Sequence, residues 1–230
     1  MNRINRAILQ LWESTPNNQL NNLVPGYIPP IKKEAILFIG INPSFSERGF
    51  KTILRETELE RLDVKKFYKY PTSNSFDLNT SFKIEELSRE KHPYFNRFRE
   101  ISELVGVPWE HLDLFFIRET NQKDLLKRVF KKGRDLNAFG EQQLKISKKS
   151  IDQARPKVVV VANALASALF ETAFNAKFDK EQGCHFAMIN GEKTPVFLCS
   201  MLTGQRALDN FSYERLCWHI SEVLRTTIKA

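Results

Sequence analysis

The sequence predicts an α/β protein, a three-layer α/β/α sandwich with a central four-stranded parallel sheet. Four short apolar runs are typical of buried strands. They lie at residues 36–39, 111–117, 157–162 and 196–200. Segments with helical spacing separate these runs along the chain. Strands that alternate with helices and cross over imply a parallel sheet with helices on both faces.

The predicted helices follow from apolar residues that recur at helical spacing. The first covers the N-terminal residues up to Trp12 and ends near Pro16. Ser212 is a suitable N-cap for the last one. The helices after the first are predicted at residues 94–106, 141–154, 164–170 and 212–225.

A polar, charge-rich insertion occupies residues 46–91, between the first two predicted strands. Within it we expect a helix over residues 55–66 and a loop over residues 70–79, where Pro, Ser and Asn are frequent. Mobility in such an insertion would suit a lid or a substrate clamp. An ordered decoration without a functional role fits the sequence equally well.

The composition indicates one globular domain spanning residues 1–230. With 42% hydrophobic residues and 18 Phe, the chain can bury a large core. No apolar stretch approaches the roughly 20 residues that a membrane helix needs, so no membrane partner is expected. The N-terminal segment lacks the apolar core of a signal peptide, which makes the cytoplasm the expected location. We expect a monomer.

No resident metal or cofactor is expected. The three cysteines, Cys184, Cys199 and Cys217, are far apart and form no Cys-x-x-Cys pair. Zinc and iron–sulfur sites require such clustered thiolates, so buried free thiols are the simpler interpretation. The four histidines show no metal-ligand spacing. Neither a dinucleotide-binding G-x-G-x-x-G motif after a strand nor a phosphate-binding P-loop is present.

Basic residues are concentrated in one part of the chain. The net charge is +8, and residues 118–157 alone contain twelve Lys or Arg against five acidic residues, a net +7. Clustered basic charge favours binding to a phosphate backbone, because the bound nucleic acid releases its counterions. A solvated face of an ordinary surface helix is the alternative interpretation. We therefore expect a nucleic acid, single- or double-stranded, as the partner, with Lys131 and Lys132 as candidate contacts.

The most informative segment is the first buried strand and the Gly-Ile-Asn-Pro-Ser that follows it at residues 40–44. Gly40 lets the backbone turn, and Pro43 cannot continue a central strand. The amide side chain of Asn42 is thereby predicted at the carboxyl end of a buried strand, where open α/β sheets place their ligands. A turn residue bonded to its own backbone before Pro43 would have the same sequence.

Three motifs together resemble the uracil-DNA glycosylase superfamily, in particular its mismatch-specific uracil and thymine branch. The first is residues 40–44. The second is His-Pro-Tyr-Phe-Asn-Arg-Phe at residues 92–98, with one residue more than the family between Pro and Asn. The third is Phe-Ile-Arg-Glu-Thr-Asn-Gln at residues 116–122, which is similar to the end of the family's second strand. The resemblance extends over residues 35–225.

The resemblance implies a role for each residue of the first motif. Asn42 would hold the attacking water through its side-chain carbonyl, and an amide, which cannot take the proton near neutral pH, implies a slow enzyme. Gly40, Ile41, Pro43 and Ser44 would line the pocket for the flipped base. Ser44 is too small to exclude a 5-methyl group, so thymine is not excluded on this ground.

Two further positions would complete the base pocket. An aromatic side chain should stack on the base; Tyr94, Phe95 and Phe50 are the candidates, and Phe95 is preferred. Asn121 would read a pyrimidine edge through its amide, although a helix cap for the following residues suits it equally well.

The family's last motif is degenerate in this chain. Residues 201–206 read Met-Leu-Thr-Gly-Gln-Arg where the family has a polar Asn or His followed by Pro and Ser. Met cannot donate a hydrogen bond to the departing base, so Ser200 or Thr203 would have to replace that donor; otherwise the stabilisation of the leaving group is lost. Gly204 would belong to this DNA-binding turn, and Gln205 and Arg206 after it would enter the gap that the flipped base leaves, with Arg206 on a phosphate or the orphaned base.

The sequence leaves three functions open. The first is a cofactor-free DNA glycosylase that removes uracil or another damaged or mismatched base. The second is a nucleic-acid-binding protein of the same fold that has lost catalysis, which the altered last motif favours. The third is an enzyme acting on nucleosides or nucleotides, whose phosphates would also be attracted by the basic segment.

Overall fold

The structure, a computed structural model, describes residues 1–71, 76–133 and 135–228, without the side chains of residues 227 and 228. Residues 72–75 of the expected loop and Arg134 of the basic segment lie outside the described residues. The chain divides into two compact units. The first unit comprises Met1–Pro30, Asn42–His92 and Asp113–Lys149, and the second comprises Ile31–Ile41, Pro93–Leu112 and Ser150–Ala230.

The described residues form both helices and strands. The helices are α1 Arg3–Ser14, α2 Glu47–Leu54, α3 Val64–Phe67, α4 Leu78–Lys91, α5 Asn96–Val105, α6 Gln122–Val129, α7 Ala138–Ala154, α8 Ala164–Phe174 and α9 Asn210–Ile228, with a 3-10 turn at Pro93–Phe95. The strands are β1 Ile36–Gly40, β2 Trp109–Asp113, β3 Phe130–Lys132, β4 Asp135–Leu136, β5 Val158–Ala162, β6 Lys177–Asp179, β7 Cys184–Ile189 and β8 Glu192–Cys199.

The protein is α/β, with a mixed six-stranded sheet in the order β2-β1-β5-β8-β7-β6. β5 pairs in parallel with β1 and with β8, and every residue of β1 and β5 is buried, as the apolar runs predicted. The hairpin of β7 and β8 and the following pair β7–β6 are antiparallel. The sheet thus exceeds the four parallel strands expected.

The missed antiparallel strands had a local signal. Asn190 and Gly191 connect β7 to β8 with positive φ angles of 50° and 83°. Asn-Gly between two apolar-alternating runs is the strongest short hairpin signal, because both residues tolerate the left-handed turn. The expected last strand at residues 196–200 is in fact the second half of this hairpin.

The second unit has its core between the sheet and helices α5 and α9. Alternate residues of the parallel strands, such as Phe38 and Val160, pack in one cluster with Phe98 of α5 and Ile220 of α9. The rings of Phe38 and Phe98 stack with centroids 4.2 Å apart. The first unit has a separate cluster, in which α2, α3 and α4 pack around Tyr68.

Three predicted element boundaries were wrong. The strand predicted at residues 111–117 ends at Asp113, and the segment after it has no regular structure. The helix expected at residues 55–66 is mostly turn, because α2 ends at Leu54 and Glu56 takes a left-handed φ of 61°. The last helix begins at Asn210, before Ser212, whose backbone N–H donates to the Asp209 carboxylate at 3.0 Å.

Candidate functional site

Asn42 stands two residues after β1, and three backbone carbonyls fix the orientation of its side chain. Its Nδ2 lies 2.7 Å from the carbonyl oxygen of Glu119, 3.0 Å from that of Pro43 and 3.1 Å from that of Ile117. An amide nitrogen donates and a carbonyl only accepts, so these contacts determine which end of the side chain is nitrogen. The half-buried Asn42 therefore turns its Oδ1 away from these carbonyls, and no described residue donates to that oxygen.

A second set of hydrogen bonds joins the loop after β1 to residues 117–120. The backbone N–H of Glu119 donates to the carbonyl of Pro43 at 3.0 Å. The Thr120 hydroxyl donates to the carbonyl of Phe45 at 2.5 Å and accepts from its N–H at 3.1 Å. The structure thus brings together the first and third sequence motifs, which lie more than 70 residues apart.

Gly26 packs closely against the loop that carries Asn42 and Pro43. Its N–H donates to the carbonyl of Phe116 at 2.7 Å. A Cβ atom at this position would lie 2.8 Å from Cγ of Pro43, closer than two carbon atoms can pack. A side chain at Gly26 would therefore displace Pro43 and the loop that carries Asn42.

Arg118 is buried beneath the loop and is not part of the basic surface. It is 3% exposed, and its guanidinium lies over the ring of Tyr68 at 4.4 Å. Its backbone carbonyl accepts a hydrogen bond from Asn21 Nδ2. The neighbouring Glu119 carboxylate forms an ion pair with Arg128 at 3.6 Å. Two of the twelve basic residues counted in the sequence, the buried Arg118 and the half-buried Arg128, are therefore engaged by other residues of the first unit.

Phe45 is an aromatic side chain of this loop that the sequence analysis did not select. It is half-buried, and its ring centroid lies 5.6 Å from that of Phe50 and 6.0 Å from that of Tyr68. Phe50 and Tyr68 are both buried, so Phe45 is the ring of this trio with an exposed surface. Its position directly after Ser44, the last residue of the first motif, was the available signal.

Asn121 is the N-cap of α6. Its Oδ1 accepts the backbone N–H of Lys123 at 2.9 Å, which confirms the cap alternative. The side chain is exposed, and its amide nitrogen has no acceptor among the described residues. A base-reading role for that nitrogen stays a prediction. Of the remaining pocket residues in this unit, Pro43 is half-buried and Ser44 is exposed.

The other predicted pocket residues belong to the second unit. Gly40 is the buried last residue of β1, and Ile41 follows it half-buried. Phe95 is 7% exposed and packs in the core, with ring centroids 5.3 Å from His111 and 5.6 Å from Trp109. Neighbouring rings cover the ring of Phe95, and this burial does not favour stacking on a base. The stacking role of Phe95 stays a prediction.

The turn at residues 201–207 follows β8 and is closed by its own backbone. The N–H of Leu208 donates to the carbonyl of Met201 at 2.9 Å, and Gly204 has a φ of 89° that favours glycine. Leu202, in the place of the family's proline, is 1% exposed and belongs to the core cluster. Thr203 donates its hydroxyl proton to the carbonyl of Tyr94 at 3.2 Å.

Exposed side chains of two segments remain available for a charged partner. Gln205 and Arg206 are exposed at the tip of the turn in the second unit. In the first unit, Lys131 and Lys132 are exposed on β3, and neither pairs with a carboxylate among the residues described. The nearby Lys127 is engaged by Asp124 at 2.7 Å.

Burial perturbs several titratable groups. Burial and the neighbouring Glu85 carboxylate raise the pKa of Asp113 to about 8, against the opposing effect of Arg118 and Arg89. Burial likewise raises the pKa of the Cys199 thiol to about 12, and burial with the Asp179 carboxylate raises that of Cys184 to about 11. Such thiols are not reactive near neutral pH.

The described parts of the chain contain no cluster of three or more His, Cys, Asp or Glu side chains that could hold a metal ion. Nor is any helix within them long and apolar enough to cross a membrane. Comparison of the sequence with protein-family models finds no match, and comparison with curated proteins finds none either. Function must therefore be inferred from the residues and their contacts.

Proposed function

We propose that this protein is a monofunctional DNA base glycosylase that hydrolyses the N-glycosidic bond of uracil or of another damaged or mismatched base. The orientation of Asn42 is the observation that supports this most. Its nitrogen is anchored by three carbonyls, and its oxygen is left to accept a hydrogen bond from water. A side chain held this firmly can position a nucleophile without reorganising during the reaction.

The reaction proposed requires no cofactor. The bond between the sugar C1′ and the base nitrogen breaks, and the base departs with the electron pair. Water held by Asn42 forms the new C1′–O bond and releases its proton to solvent, from which the base is protonated. Because an amide cannot accept that proton near neutral pH, the enzyme is expected to be slow.

Exposed side chains offer candidate contacts for a base and for DNA. In the first unit, the amide nitrogen of Asn121 would read a pyrimidine edge, Phe45 would offer its exposed ring surface for stacking, and Lys131 and Lys132 would contact phosphates. The second unit, taken by itself, would contribute DNA contacts from the exposed Gln205 and Arg206.

The finer architecture is part of the proposal. Strands β2, β1, β5 and β8 would form the four-stranded parallel sheet of an α/β/α sandwich, and the strands β7 and β6 would extend it. The parallel pairs β1–β5 and β5–β8 support this assignment. The three cysteines, all free thiols, are in keeping with a reducing cytoplasm.

A nucleic-acid-binding protein without catalysis is the second candidate, and the 201–207 turn favours it. Leu202 is committed to the core, and Thr203 already donates its only hydroxyl proton to Tyr94. Leu202 has no proton to donate. Thr203 could donate one to the departing base only by giving up its hydrogen bond to Tyr94. Loss of leaving-group stabilisation would then leave binding alone.

Strand cleavage after alkali tests the proposal. Labelled oligonucleotides with U, U opposite G, T opposite G, hypoxanthine or xanthine would be treated at low salt with wild type, Asn42→Ala and Asn79→Ala. Asn79 is an exposed amide on α4 and serves as the matched control. We expect product from wild type and Asn79→Ala, and at least about a hundredfold less from Asn42→Ala.

Each other outcome has a defined meaning. No product on any substrate, with salt-sensitive DNA binding retained, would replace the glycosylase by the binding protein. Product that is undiminished in Asn42→Ala would remove the role of this residue. Absence of both cleavage and DNA binding would reject both candidates.

A further inference from the structure

Helix α9 exposes two large aromatic side chains on one face. Phe211 is 75% and Trp218 is 64% exposed, while Ile220 and Leu224 on the other face are buried in the core of the second unit. The aromatic pair lines a shallow surface depression, together with Glu214 and Arg215. Two large aromatics exposed this fully, two turns apart on one helix face, form an apolar patch of the kind that marks an interaction surface.

The four side chains have a self-complementary arrangement. Because successive helical residues are rotated by about 100°, Phe211 and Trp218 lie within about 20° of each other and form one seam. Glu214 and Arg215 stand about 50° to either side of that seam. Neither has an oppositely charged partner among the residues described; Arg215 donates only to the Ser212 hydroxyl, at 3.3 Å.

We infer that this face of α9 binds the same face of a second copy of the chain, with the two helices parallel about a twofold axis. In a parallel pair each seam residue meets its own counterpart, and the residues on one flank face those on the other flank. Phe211 and Trp218 would each pack on their counterparts, and Glu214 would face Arg215 of the partner subunit. An antiparallel pair would oppose like charges, so the charges select the parallel arrangement.

The contact is small, and the dimer is therefore weak. One helix face buries less than the roughly 1,200 Å² of a typical stable interface. The chain would be a monomer at low concentration and would dimerise reversibly at high concentration. This departs from the monomer expected from the sequence alone.

Sedimentation equilibrium over about 10–500 µM protein tests the inference, a range suited to a weak interface. We expect the dimer in wild type and its loss in Trp218→Ala. Charge reversal by Glu214→Arg or Arg215→Glu alone should weaken dimerisation about tenfold or more, and the two together should restore it. Glu171→Arg, an exposed acidic residue on α8, is the matched control and should not change it.

The substituted side chains are exposed, and circular dichroism of each variant would verify that the helix is retained. A wild-type chain that is monomeric over the whole range overturns the inference. A dimer that tolerates Trp218→Ala, or that is not restored by the double charge reversal, also overturns it, because a different surface or orientation would then hold the copies together.

Discussion

The side-chain nitrogen of Asn42 lies 2.7 Å from the backbone carbonyl oxygen of Glu119, a residue 77 positions later in the chain. The same peptide segment returns a hydrogen bond, from the Glu119 N–H to the carbonyl of Pro43 at 3.0 Å. The loop after β1 and the segment after β2 are thus held as one piece. This reciprocal connection orients the side-chain oxygen on which the proposed chemistry depends.

Replacing Asn42 by Asp should not improve the enzyme, although a carboxylate is the better general base in isolation. The new carboxylate oxygen would face the carbonyls of Glu119, Pro43 and Ile117, and acceptors facing acceptors repel. We expect Asn42→Asp to lower the free energy of unfolding by about 1–3 kcal/mol at pH 8. The loss should be smaller at pH 5, because the carboxyl pKa would be raised and the protonated form can donate.

Urea unfolding of Asn42→Asp and wild type at both pH values measures this difference, with glycosylase rates recorded in parallel. A variant as stable as wild type at pH 8 would contradict the hydrogen-bond assignment of the Asn42 amide.

Gly26→Ala should destabilise the loop that carries Asn42. The added methyl group would meet Cγ of Pro43 at 2.8 Å, and the proline ring cannot move aside by rotating. We expect a loss of about 1–3 kcal/mol in the free energy of unfolding and a fall in any base-excision rate. Denaturant unfolding together with oligonucleotide cleavage would measure both, and an unchanged midpoint would speak against the contact.

Asn121→Ser separates the two roles of Asn121. Serine replaces asparagine well as an N-cap, so the hydrogen bond to the Lys123 N–H is preserved and stability should change by less than about 0.5 kcal/mol. The side-chain amide nitrogen, however, is lost. A rate that falls at unchanged stability would assign base reading to this nitrogen, whereas a wild-type rate would leave Asn121 with the cap alone.

The raised pKa of Asp113 should make stability depend on pH. The pKa is about 8 in the folded protein, against about 3.9 in the unfolded chain. Between these values the folded state binds the proton and the unfolded state does not, so the free energy of unfolding falls as the pH rises. The total change should reach a few kcal/mol from pH 4 to pH 8.

Asp113→Asn should flatten this dependence, because the amide resembles the protonated carboxyl group and does not titrate. Chemical denaturation at several pH values gives the slope for wild type and variant. Asp209→Asn is a suitable comparison, since hydrogen bonds from Ser212 lower the pKa of the exposed Asp209, the opposite direction to that of Asp113. Equal slopes in wild type and Asp113→Asn would show that another group is responsible.

Lys131 and Lys132 should contribute to the salt dependence of DNA binding. If each contacts a phosphate, changing both to Ala should reduce the slope of log K against log salt by about 2. Lys32→Ala with Lys33→Ala is the matched control, because this exposed pair precedes β1 and lies toward the amino ends of the parallel strands. Fluorescence anisotropy at several salt concentrations gives both slopes, and equal effects of the two pairs would contradict a localised contact.

Patterns confined to a few neighbouring residues were sufficient to identify the central strands and most helices. The consecutive apolar residues of β1 and β5 leave neither strand a polar face. Only a position in the interior of a sheet covered on both faces buries all of them. The missed β7 also had a local signal at Asn190-Gly191. By contrast, residues 114–117 are as apolar as a strand, but they follow β2 without forming further strand pairing.

The sequence alone determined that the amide of Asn42 follows a buried strand, because the apolar run and Pro43 together end that strand there. Tertiary structure decided what this amide does: the carbonyls that hold it come mainly from a segment more than 70 residues away. It also decided that Arg118 is buried against Tyr68 and that Phe45 keeps an exposed ring surface. Local patterns report burial and turns, but hydrogen-bond partners distant in the chain are set only by the tertiary packing within the first unit.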